Sequence, residues 1–115
     1  MTIEEASEHY SIPLDILKEY ESWGLCSNMK KVIGAWEYDD QDIEWLSMIM
    51  TLHDIGFKSN EIEEYMHLLL KGEITKKQRL LMLNQKRSET LNEVHMKEAQ
   101  ISQLDYLRSK VRHTL

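Results

Sequence analysis

Cys26 is the only cysteine among 115 residues. One thiol excludes an intramolecular disulfide and any zinc or mercury site built from several thiolates of one chain, and it reads as a buried, inert side chain. Proline occurs once and glycine four times, too little punctuation for a protein made of strands and turns. No apolar run approaches the roughly 18 to 20 residues that cross a bilayer, and the N-terminus has neither the basic start nor the apolar stretch of a secretory signal. The expected compartment is therefore the cytoplasm, without membrane contact. Chemistry is short as well. His9, His53, His67, His95 and His113 never fall at i and i+4, so no pair shares a helical turn as metal ligands would, and each reads as a solvated surface residue. There is no glycine-rich phosphate cradle and no nucleophile elbow. Asp39-Asp40-Gln41-Asp42 lacks the glycine and the distant glutamate of a calcium loop. Neither an enzyme nor a metal or cofactor site is expected.

What is present is helical material. Apolar residues are 42% of the chain and charged residues 30%, enough for a core in one domain with an appended helix, but not for two independent cores. Thr2 followed by Glu5 has the form of a capping box and opens a short helix over residues 3–9 with Ile3 and Ala6 inward. A second helix starts at Pro13, carries Ile16, Leu17 and Tyr20 on one side and ends at Gly24. From Leu25 to Tyr38 the period fails, and Val32 to Trp36 read as a small β-hairpin bent at Gly34. Asp39 caps a third helix with Ile43, Leu46, Ile49 and Leu52 on one face, closed by Gly56. Ser59 or Asn60 opens a fourth, bearing Ile62, Tyr65, Met66 and Leu69, which stops at Gly72. Met48, Met50, Met66 and Met82 suggest an adaptable core.

From about Thr75 onward there is neither glycine nor proline, so nothing interrupts a helix of roughly 38 residues, about 57 Å long. Its apolar seam runs through Leu80, Leu83, Val94, Ile101, Leu104 and Val111, with Arg87 and Arg108 in equivalent slots. Such a stripe needs a partner: the first expectation is pairing with the same helix of a second copy, and the alternative is that it folds back on its own head as a core helix. The expected organisation is a head over residues 1–74 and a dimerisation helix over 75–115.

Charge divides along the same line. Residues 1–75 hold five lysines, no arginine and sixteen carboxylates, a net charge of −11, whereas residues 76–115 carry +5. DNA-gripping domains usually present a basic face, because phosphate neutralisation supplies most of their affinity. This head has little basic charge to present.

Ile3 to Leu25 followed by Tyr38 to Ile62 resembles the MerR (mercury-resistance regulator) family. The strongest part is Tyr38-x-x-x-Asp42-Ile43-x-x-Leu46-x-x-Ile49-x-x-Leu52-x-x-x-Gly56-Phe57-x-x-x-Glu61-Ile62, which follows the family pattern without a gap. Leu17-Lys18-Glu19-Tyr20-Glu21-x-x-Gly24-Leu25 is similar to the family's Leu-Arg-Tyr-Tyr-Glu-x-x-Gly-Leu, with Lys at 18 for Arg and Glu at 19 for the first Tyr. The resemblance implies an all-α winged helix-turn-helix head with a small β wing, a long C-terminal dimerisation helix, and a homodimer that binds and distorts double-stranded promoter DNA. By position, Leu14 and Asp15 would lie at the start of the recognition helix, Lys18, Tyr20, Lys30 and Lys31 would contact the DNA backbone, and Trp36 would stand in the wing. Ala35 and Trp36 replace the family's wing Tyr and Arg, which removes a bidentate phosphate clamp. Trp23 and Trp45 stand at aliphatic positions of the pattern and read as packing. No effector domain is expected. The first expectation is a MerR-type DNA-binding regulator. The alternative is a degenerate winged helix without DNA affinity that meets a basic protein partner through its acidic head or Trp36.

Overall fold

The computed structural model describes residues 2–25 and 38–114, and the expected wing, with Lys30, Lys31, Gly34 and Trp36, lies outside them. Within the described residues the protein is helical: α1 (Ile3–Tyr10), α2 (Leu14–Ser22), α3 (Asp40–Asp54), α4 (Ser59–Leu70), a 3-10 turn (Gly72–Thr75) and α5 (Lys76–Thr114). The chain divides into two compact units, Met1–Lys76 and Lys77–Leu115.

In the first unit the helix ends follow local chemistry. The Thr2 hydroxyl accepts the Glu5 N–H at 3.1 Å and opens α1. α2 starts at Leu14, one position after the Pro13 start expected from the sequence, and Pro13 stands immediately before it. At Gly24 the backbone turns left-handed, with φ +71°, and α2 cannot continue. Asp39 caps α3 reciprocally: its carboxylate accepts the Asp42 N–H at 2.8 Å, and Asp42 accepts the Asp39 N–H at 3.1 Å. Ser59 behaves differently from expectation. Glu61 accepts the Lys58 N–H at 2.9 Å to start α4, while the Ser59 hydroxyl donates to Glu19, far back in the sequence.

The core forms where the apolar stripes of α1 to α4 meet. Leu17, Tyr20, Leu46, Ile49, Ile62 and Met66 are its largest fully buried side chains. On α3 the buried face is Asp42, Leu46, Ile49 and Leu52, and Ile43, expected inside, is only half-buried. Trp23 and Trp45 are half-buried, as are Met48, Met50 and Met82; Met66 alone of the four methionines is fully enclosed. Thr75 ends the unit by donating its hydroxyl to the carbonyls of Leu68 and Gly72, at 2.6 and 2.8 Å.

The second unit is a single helix. α5 has 39 residues and buries none of them, which at 1.5 Å per residue makes it about 58 Å long. No described helix is long and apolar enough to cross a membrane.

Candidate nucleic-acid interface

The helix pair α1 and α2 is fixed from below by apolar contacts and from the sides by polar ones. Ile16, Leu17 and Tyr20 put one face of α2 into the core. Tyr20 is fully buried, and its hydroxyl donates to the buried Asp42 carboxylate at the start of α3. A carboxylate is tolerated inside because it is supplied with donors, here from Tyr20 and from the Asp39 N–H. Tyr38, which follows the undescribed segment, donates its N–H to the Tyr10 hydroxyl at 3.1 Å. The Tyr38 ring meets those of Tyr10 and Tyr20 edge-on, at 5.4 and 6.1 Å between centroids.

A second polar contact clamps the other flank of α2. Glu19 Oε2 lies 2.9 Å from His53 Nε2 on α3, and Glu19 Oε1 accepts the Ser59 hydroxyl of α4 at 2.9 Å. One carboxylate thereby ties three helices. Both partners are partly solvated, with side-chain exposures of 28% for His53 and 27% for Glu19, so the gain is of the modest size typical of surface pairs. Its main effect is to fix the rotation of α2. Both oxygens of Glu21 are covered and find no hydrogen-bond partner among the described residues.

What remains for an outside partner is the opposite side of α2. Asp15, Lys18 and Ser22 are exposed there, and Leu14 is half-exposed beside them. Asp15 Oδ1 accepts the Ile16 N–H at 3.0 Å in the first turn, and the Ser22 hydroxyl folds back onto the Glu19 carbonyl at 2.9 Å. Of the residues the sequence suggested for DNA contact, Leu14, Asp15 and Lys18 therefore share one accessible face. Tyr20 does not join them: a fully buried ring whose hydroxyl is engaged by Asp42 offers nothing to a phosphate. It is a core residue, which corrects the backbone-contact role expected of it. Lys30, Lys31 and Trp36 lie outside the described residues.

Three polar residues escaped the sequence reading. Asp42 is buried with its carboxylate engaged by Tyr20 and by the Asp39 N–H, and His53, expected in solvent, meets Glu19. The signal for Asp42 was available, since it lies four residues before Leu46 on the same apolar stripe. Glu19 and His53 carried no such mark. Among the described residues no three His, Cys, Asp or Glu side chains are grouped to hold a metal ion.

The seam of α5 is exposed within the single chain. Leu80, Val94, Ile101, Leu104 and Val111 are 46 to 59% accessible, and Leu83 is half-buried.

Comparison with known proteins agrees with this geometry. Residues 1–69 match the family described as MerR HTH family regulatory protein. Over 76 residues, 65% of this chain and 54% of the other, the sequence is 29% identical to the HTH-type transcriptional regulator AdhR of Bacillus subtilis. Over 80 residues, 69% of this chain and 59% of the other, it is 28% identical to an uncharacterized HTH-type transcriptional regulator of Haemophilus influenzae. The chain thus spans a little over half the length of these curated relatives. No solved structure matches it. Since the family match spans residues 1–69, more than half of the chain, the protein belongs to the MerR family of helix-turn-helix regulatory proteins.

Proposed function

We propose that this chain regulates transcription by binding double-stranded promoter DNA as a homodimer. The observation that carries the reading is the family-matched helix-turn-helix, whose second helix is locked on its inner side and leaves Leu14, Asp15 and Lys18 accessible on its outer side. In this motif the second helix enters the major groove and its first residues meet base edges. Lys18 contacts a phosphate, and Lys30 and Lys31 add two more from each protomer. The uncovered seam of α5 pairs with the same helix of a second copy. Two recognition helices in successive major grooves then require a two-fold site with fixed half-site spacing.

Fluorescence anisotropy on duplexes from the chain's own upstream region, and on random duplex, tests this at low salt. Three lysines per protomer allow about six phosphate contacts per dimer, so log affinity should fall with log salt at a slope no steeper than about −5. Changing Lys30 and Lys31 to Ala should weaken all sequences alike.

The net charge of −11 on residues 1–75 supports a second reading, a protein-interaction module that meets a basic partner through its acidic head or Trp36. Absence of binding to either duplex at low salt would decide for it. A pull-down comparing the unmodified chain with Trp36→Ala would then locate the contact.

A further inference from the structure

We infer that Asp15 makes the protein select cytosine at one position of each half-site, by accepting a hydrogen bond from the exocyclic N4 amine. The inference rests on the DNA-binding reading above and adds the base that is read. α2 carries three carboxylates, and the structure disposes of two. Both oxygens of Glu19 are taken by His53 and Ser59, and both oxygens of Glu21 are covered. Asp15 alone is exposed. It stands in the first turn of α2, the part of a recognition helix that meets base edges. Its Oδ1 accepts the Ile16 N–H, an anchor that holds the side chain at the helix start. Its Oδ2 makes no hydrogen bond among the described residues.

An ionised carboxylate only accepts hydrogen bonds. In the major groove it is repelled by N7 and O6 of guanine, by O4 of thymine and by every phosphate, and the donors it can meet are the amines of cytosine and adenine. Adenine sets the acceptor N7 beside its amine, whereas cytosine sets only C5–H beside N4, so the carboxylate favours cytosine. Lys18, exposed one turn further along the same face, neutralises a phosphate and offsets the repulsion between Asp15 and the backbone. Asp15 thereby lowers affinity for most sequences and spares those with cytosine in register, which makes it a discriminating residue and not an affinity residue.

The test selects a randomised duplex pool with the full chain, with Asp15→Asn and with Asp15→Ala, each first shown to keep its helical circular dichroism. The unmodified chain should enrich sites with a required cytosine, and replacing that cytosine by 2-pyrimidinone, which lacks only the amine, should weaken binding about tenfold. Asp15→Asn should shift the preference toward adenine, whose N6 and N7 an amide engages together. Asp15→Ala should bind the 2-pyrimidinone and cytosine duplexes equally. If all three proteins enrich the same sequence and respond alike to 2-pyrimidinone, Asp15 does not read the base, although the DNA-binding reading stands. If none of the three enriches any duplex, the DNA-binding reading fails and this inference fails with it.

Discussion

Tyr20 and Asp42, 22 residues apart in the chain, are joined inside the head by a hydrogen bond from phenol to carboxylate. Position 20 looks from the sequence like a DNA contact, because the family resemblance sets it beside Lys18 in a segment expected to clamp the backbone. Neighbours in sequence on a helix face different ways, however: at 100° per residue, two positions separate Lys18 from Tyr20 by more than half a turn. Tyr20→Phe should leave Asp42 short of one donor and cost about 1–3 kcal/mol. In urea denaturation at fixed protein concentration, the midpoint should fall with an unchanged slope, while DNA affinity of the folded protein stays the same. A variant as stable as its parent but weaker on DNA would return Tyr20 to the interface.

Helix ends were the most legible elements, since a cap is a contact between residues three apart and both partners are visible in the sequence. The α3 cap is the clearest, with Asp39 and Asp42 holding each other's backbone N–H. Asp39→Ala should cost about 0.5–2 kcal/mol. Because Asp42 also holds Tyr20, the double variant with Tyr20→Phe should lose less than the sum of the two single losses. Strict additivity in matched denaturation curves would show that cap and tyrosine act independently. The start of α4 was less legible. Ser59 is a good capping residue in isolation, but Glu19, 40 residues away, takes its hydroxyl, and Glu61 makes the cap bond. The rotation of α2 depends on the same glutamate and could not be read from α2 alone.

At the scale of the whole molecule, the main observation is a 39-residue helix that buries none of its side chains. A stripe of leucine, valine and isoleucine repeating at the heptad period gains stability only by meeting another surface. Val94→Asp together with Ile101→Asp should give monomers in sedimentation, since pairing would bury four carboxylates per dimer without partners. Persistence of the dimer would put the interface elsewhere. In the proposed dimer charge would add a smaller contribution, since −11 on residues 1–75 and +5 on residues 76–115 would attract between copies. The dimer dissociation constant should therefore rise with ionic strength, modestly, because exposed pairs contribute only about 0–1 kcal/mol each. A constant that is flat from low to high salt would leave the hydrophobic seam as the sole source of affinity.

The sequence by itself determined the four helices of the head, the length of the fifth and the seam along it. Each follows from a period or from contacts a few residues apart, and such interactions are written in adjacent positions. It also set Leu14 and Asp15 at the start of the second helix and Lys18 one turn further along, where the structure leaves them accessible. Only the tertiary structure decided which polar groups turn inward. Tyr20 with Asp42, Glu19 with His53 and Glu19 with Ser59 are separated by 22, 34 and 40 residues. Whether a carboxylate or phenol is a surface contact or an internal tie depends on whether a partner from another helix arrives within hydrogen-bond reach, and that is fixed only when the helices pack.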